Sequence, residues 1–311
     1  LFPYTTLFRS MFLQPDGRKT DRSRVRDWWL NRKDPGEAST RGQAATSEAY
    51  DRLCLYREQG RELAADHPGV QGVYVLDNGV YTLTHDHRHI YRYHFAGLIL
   101  NEALLGWAKL SLGFTEGRSR QRILSARCLA PDGTVHTLDP ETASTSIPGS
   151  GSEHFDANAR VLTATIPGVE VGSLVEYVYE YEQYAPEDWR LFFPGYYFQM
   201  NLPVCHSSYT IRVPTHVRLY YWLKNWAAGN SIRRNESSQE PLLRQNCLRD
   251  GREYTCYTWE KRLMPPIVRE PQMPPWYEVA PAVHASLFKE WKYLNELTGS
   301  MQKERMQLTP E

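Results

Sequence analysis

The period of the hydrophobic positions changes along this chain. Between residues 46 and 69 it is helical: Tyr50, Leu53, Cys54 and Arg57 fall near one face, Ser47 is placed to cap the start, and His67-Pro68-Gly69 ends the segment. From Val70 the period drops to two. Val73, Val75, Tyr81, Leu83, Ile90, Tyr91 and Tyr93 read as strand positions, with Asp77-Asn78-Gly79 as a hairpin turn. Residues 98–112 fit either a helix or a strand. Strands are predicted over 120–129, 135–138, 160–166, 174–184, 207–213 and 217–223, and a hairpin over 242–261 about Asp250-Gly251. In the strand at 174–184, Leu174, Glu176, Val178 and Glu180 share one face. Val175, Tyr177, Tyr179 and Tyr181 share the other, which is the better core candidate.

Short strands separated by regular turns predict a mainly β fold, an antiparallel two-sheet sandwich, with one helix before it and one after. The boundaries that follow are a tail or linker at 11–45, a helical lead at 46–69, the β domain at 70–265, and a Pro-rich linker with the start of a following domain at 266–311. The helix in that last segment is predicted over 286–302, with Phe288, Trp291 and Leu294 on one face. Residues 1–10, LFPYTTLFRS, read as a translated sequencing adapter and are left out of the fold reading. The polar stretch after Met301 reads as a cut rather than a finished terminus.

Composition narrows the function classes. Thirty-six basic residues balance 36 acidic ones, so no net field draws the chain to nucleic acid or an anionic membrane. The most apolar stretch, 96–112, is broken by Asn101, Glu102 and Lys109, too early for a membrane span. Twenty Tyr and nine Trp suit strands and aromatic surfaces. The five Cys form no CxxC pair, and no cofactor is indicated. Cys247 and Cys256 flank the 250–251 turn and can face each other across the hairpin.

Four groups are candidates for chemistry. His85, His87 and His89 would share one face of a strand, and with a further ligand such a set can hold Zn or Cu; a solvated strand face is the plainer reading. Cys205-His206 are sequence neighbours, but adjacent strand residues point to opposite faces, which argues against a catalytic dyad. Glu176, Glu180 and Glu182 read as the wet face of a sheet, paired with Arg or Lys on the next strand. Trp189, Phe192, Tyr196 and Tyr197 stand in an aromatic stretch that is either core or a docking and binding surface.

Pro131-Asp132-Gly133-Thr134, the 167–181 stretch from Pro167-Gly168 to Tyr181, residues 198–204 (FQMNLPV) and residues 209–214 (YTIRVP) occur in an order that resembles one bacterial family. It is the domain of unknown function found N-terminal to transglutaminase-like domains. Trp259, Pro265, Pro266, Glu270, Pro274 and Pro275, then Phe288 and Trp291 opening a helix, continue the likeness. The resemblance implies an accessory β domain whose partner is a following domain with a Cys nucleophile, a His base and an orienting Asp. No segment here matches that core, so the chain is expected not to be an enzyme. The resemblance further implies a periplasmic or secreted setting. The alternative is a stand-alone module binding a peptide or glycan on an aromatic surface.

Overall fold

A computed structural model describes residues 42–148, 157–226 and 243–305. The adapter-like peptide, most of the expected tail and most of the polar loop at 225–239 lie outside them. The chain divides after Ala49. Of the first unit only the start of helix α1 (Gly42–Ala65) is described, and everything below concerns residues 50 onward. The helix begins before Ser47, so Ser47 lies within it rather than capping it.

Alternation builds one large sheet. Its strands are β1 (Gly72–Leu83), β2 (His89–Ile99), β4 (Ser119–Leu129), β5 (Val135–Thr137), β8 (Leu174–Gln183), β10 (Val204–Pro214), β12 (Leu243–Arg249) and β13 (Arg252–Met264). They lie in the order β12-β13-β10-β1-β2-β8-β4-β5. All neighbours are antiparallel except β1 and β10, which run parallel. Two three-stranded sheets complete the fold: β3 (Lys109–Thr115), β7 (Ala159–Thr165) and β6 (Ser144–Ser146), and β11 (Tyr220–Lys224), β14 (Ala282–Ser286) and β9 (Gly195–Tyr197). The protein is thus mainly β and antiparallel, as the alternation predicts, but its second layer is two small sheets rather than one.

Three apolar clusters hold the layers. Phe95, Ile99, Cys128 and Val175 of the large sheet pack on Leu110 and Ala164 of the β3-β7-β6 sheet. Tyr209, Ile211, Tyr257 and Trp259 pack on Tyr196, Val283 and Ala285 of the β11-β14-β9 sheet. On the other face of the large sheet, Leu53, Tyr56 and Leu63 of α1 cover Val73, Leu76, Ala96, Leu98 and Leu174. Burying each of the Val, Leu, Ile and Phe side chains among them contributes ~1.5–3 kcal/mol.

The structure departs from the sequence pattern in identifiable places. Asp77-Asn78-Gly79 is not a turn; β1 runs straight through it. A Cβ on Gly79 would meet the rings of Tyr196 and Tyr209 at 2.9 Å, so glycine stands here to admit aromatic rings. The hairpin instead closes at 84–88, where the Thr84 and Arg88 backbones join at 2.9 Å and His87 takes φ 63°. The ambiguous 98–112 stretch divides among the end of β2, a 3₁₀ turn (Glu102–Ala108) capped by Asn101, and β3. Pro167–Gly172 carries the chain from one sheet to another rather than closing a hairpin, and Gly168 and Gly172 take φ of 68° and 94°.

The β domain also extends past residue 265. The Pro-rich stretch is extended, as expected, and contains a short helix α2 (Trp276–Val279). It is followed by β14, the middle strand of a sheet rather than part of a linker. Helix α3 (Trp291–Arg305) follows. Cys247 and Cys256 form a disulfide across the β12–β13 hairpin.

Candidate functional site: an exposed aromatic face

Sheet β11-β14-β9 has two unlike faces because its strands alternate. Tyr196, Tyr221, Leu223, Val283 and Ala285 turn inward to the core. Trp222, His284 and Tyr197 turn outward, and the register brings them together: Trp222 lies opposite His284, His284 opposite Gly195, and Tyr197 opposite Ala282. The Trp222 ring stacks on His284 at 5.3 Å and 19°. Tyr197 meets His284 edge-on at 5.8 Å, and Trp276 of α2 meets Tyr197 edge-on at 5.0 Å. A Cβ on Gly195 would press on His284 Nδ1 at 3.1 Å, so the glycine leaves the imidazole its place in the row.

Helix α2 is fastened beside this face. Lys224 pairs with Glu278, and Asn225 Nδ2 donates to the Glu278 carbonyl at 2.6 Å. Trp222, Trp276 and Tyr277 are 50%, 45% and 44% exposed. At the rim, Phe193 stacks on Phe288 at 6.2 Å and is 49% exposed. Burial, followed by the nearby Lys224 charge, pushes the His284 pKa down and favours the neutral ring. The face is therefore a row of rings in contact, fit to bury apolar or planar groups.

The aromatic surface expected at Trp189, Phe192, Tyr196 and Tyr197 does not form as a unit. Phe192 and Tyr196 are core residues, Tyr196 stacking on Tyr209 at 4.5 Å. Trp189 stacks on His87 at 4.3 Å, away from the row. Tyr197 alone joins the face. Trp222, Trp276, Tyr277 and His284 were missed as site residues. The outward position of Trp222 in an alternating strand was the available signal for it.

The three-imidazole face does not form either. His85 donates from Nε2 to the Glu253 carbonyl, and His87 lies in the turn. His89 is buried and donates to the Trp189 carbonyl at 2.9 Å. Burial lowers the His89 pKa. Among the described residues no three His, Cys, Asp or Glu side chains are grouped to hold a metal ion. Cys205 and His206 part as adjacent strand residues must: Cys205 Sγ donates to the Gln59 carbonyl at 3.6 Å, while His206 bonds Glu260 at 3.3 Å. Burial pushes the Cys205 thiol up to about 12, the opposite of an activated nucleophile.

Glu176, Glu180 and Glu182 are not a wet face. All three are buried, each enclosed by arginines that the register sets beside them. On β4, Arg127, Arg122 and Arg120 stand opposite Glu176, Glu180 and Glu182; on β2, Arg92 stands opposite Glu180. Arg127 reaches Glu176 at 3.0 Å, Arg92 reaches Glu180 at 2.9 Å, and Arg120 Nε reaches Glu182 at 2.7 Å. His94 Nε2 and Arg52 of α1 complete the Glu176 cluster at 2.9 and 3.3 Å. Burial pushes the Glu176 carboxyl up, but His94, Arg52 and Arg127 outweigh it and hold it at about 2. These acids hold charge in a structural ladder. Asp77 is a further buried acid, accepting from Tyr93 Oη and Ser207 Oγ, both at 2.7 Å.

A β domain with a covered core and one exposed aromatic face is the class that this geometry defines. Residues 85–268, more than half of the chain, match the family described as a domain of unknown function with solved structure, DUF3857, and the chain belongs to that family. Among solved structures, the chain is similar to a candidate protease from Parabacteroides distasonis ATCC 8503. The TM-score is 0.56 and the identity 17%, over 70% of this chain and 41% of that one. Legionella pneumophila aminopeptidase A in complex with aspartic acid is matched with a TM-score of 0.32 and 8% identity, over 71% of this chain and 22% of that one. The chain therefore spans less than half the length of either protein. No curated protein matches it in sequence.

Proposed function

We propose that this is a noncatalytic β domain that stands in front of a catalytic domain, of the transglutaminase-like kind, and seats it on the outer face of sheet β11-β14-β9. The observation that carries this reading is the aromatic row Trp222-His284-Tyr197-Trp276, together with the path of the chain beside it. The middle strand of that sheet, β14, ends at Ser286, and α3 begins at Trp291. Trp291 and Tyr293 on α3 are 76% and 51% exposed. Residues 287–290 alone separate β14 from α3, so a domain that follows α3 is joined to this sheet through a 15-residue helix, which keeps its effective concentration high.

Further observations support the reading. The relative of like fold is a longer chain, so there the fold stands beside other structure. Burial raises the Cys128 and Cys205 thiols, which argues against either as a nucleophile. The Cys247–Cys256 bridge suits an oxidising compartment such as the periplasm.

The test is to read the source locus past the codon for Glu311 and to compare amide exchange in this chain and in the longer product. The reading expects a domain bearing Cys, His and Asp, and slowed exchange over 195–197, 220–224 and 276–286 in the longer product. A stop codon directly after Glu311, or unchanged exchange, would favour a stand-alone module that binds a peptide or glycan on the same rings.

A further inference from the structure

A concavity lies at the end of the domain where β10 turns into β11. Its volume is ~380 Å³, within the range of small-ligand sites. Thr215 and Arg218 of the turn, Tyr221 of β11, Arg244 of β12, and Thr255 and Tyr257 of β13 form its walls. Arg218 and Arg244 line it, and no carboxylate does.

The two guanidinium groups differ from the arginines around the buried glutamates. Arg52, Arg88, Arg92, Arg120, Arg122 and Arg127 are each spent on a carboxylate. Arg218 and Arg244 form no ion pair among the described residues. Each lies against a ring instead, Arg218 5.1 Å from the Tyr220 centroid and Arg244 5.3 Å from that of Tyr257. Stacking on a ring steadies a guanidinium while leaving its N–H edge free to donate. Two arginines and two threonines lining one concavity, with no carboxylate among its walls, match an oxyanion in charge and in the donors they offer.

We propose that this pocket binds a small ligand through an oxyanion group, held between Arg218 and Arg244. Two sources share that chemistry, a terminal carboxylate and a phosphate. The site is separate from the aromatic face and does not depend on the docking reading.

The test is titration of the chain, followed by amide and side-chain NMR shifts, with three probes: trialanine as the free acid, trialanine amide, and inorganic phosphate. At least one of the acid and phosphate is expected to bind and to move the signals of Arg218, Arg244 and Thr255, with the amide at least about tenfold weaker than the acid where the acid binds. Arg218→Gln and Arg244→Gln, both at exposed positions, are each expected to weaken binding about tenfold while leaving the unfolding midpoint in place. Binding of the acid alone marks a carboxylate site, and of phosphate alone a phosphate site. Binding of neither anion, equal binding of acid and amide without phosphate binding, or binding indifferent to both substitutions would overturn the proposal.

Discussion

Glu176 is a buried carboxylate whose charge is met on several sides. It is buried under α1 and β4 and answered by Arg52, Arg127 and His94. Glu176→Gln leaves three cationic or ionisable partners without their anion and is expected to lower stability by ~3 kcal/mol at neutral pH, read from urea unfolding. Glu180→Gln is expected to cost less, ~1 kcal/mol, because its partner Arg122 is half exposed and can turn to water. Equal losses would contradict this reading of the partners. The same group sets an acid dependence. Its folded carboxyl titrates at about 2, against an ordinary 4.5. A depressed folded value adds stability that is full above about pH 4.5 and is lost as the pH falls toward 2. Stability is therefore expected to drop across that window, and Glu176→Gln to flatten the drop. The alternation of Glu176, Glu180 and Glu182 was legible from the sequence, as was an Arg partner strand. Their burial was not, because it depends on arginines on two neighbouring strands folding over one row.

Hairpin β12–β13 shows what an element can and cannot announce. Asp250-Gly251 and the flanking alternation gave its turn, and the spacing of Cys247 and Cys256 allowed the bridge. β12 is an edge strand that pairs with β13 alone, so the disulfide fastens a strand held on one side only. Reduction, or Cys247→Ser with Cys256→Ser, is expected to speed amide exchange over 243–249 and leave the β1, β2 and β8 amides slow. The loss is bounded at about 2.5 kcal/mol by the entropy of a loop this short. Exchange that rises across the whole sheet would mean that the bridge stabilises the entire fold. Other elements misled for physical reasons. Asp77-Asn78-Gly79 has turn chemistry, yet it sits in a strand because Asp77 finds Tyr93 and Ser207 while Gly79 makes room for two rings. β14 follows a run of prolines and reads as linker until Val283 and Ala285 are seen to fill the core.

At the scale of the whole molecule, the aromatic face exists only because three distant segments become neighbours. Tyr197, Trp222 and His284 belong to strands that are far apart in sequence, and α2 supplies Trp276. Local alternation says that Trp222 points away from Tyr221. It does not say that the outward side of β11 lies beside those of β14 and β9, which is why a sequence reading could name Tyr197 and miss the rest. A face assembled this way and left half exposed adds little to the stability of the domain that carries it. The double substitution Trp222→Ser with Trp276→Ser is accordingly expected to shift urea unfolding of this chain by no more than ~0.5 kcal/mol. The same substitution is expected to abolish any concentration-dependent self-association seen by sedimentation velocity, since contiguous exposed rings seek a second surface in the absence of their own partner. In the longer product it is expected to restore fast amide exchange over 220–224 and 276–286. A large loss of stability in the isolated chain would mean that the rings hold the small sheet onto the core. The outer face of β11-β14-β9 would then be packing rather than a seat for another domain.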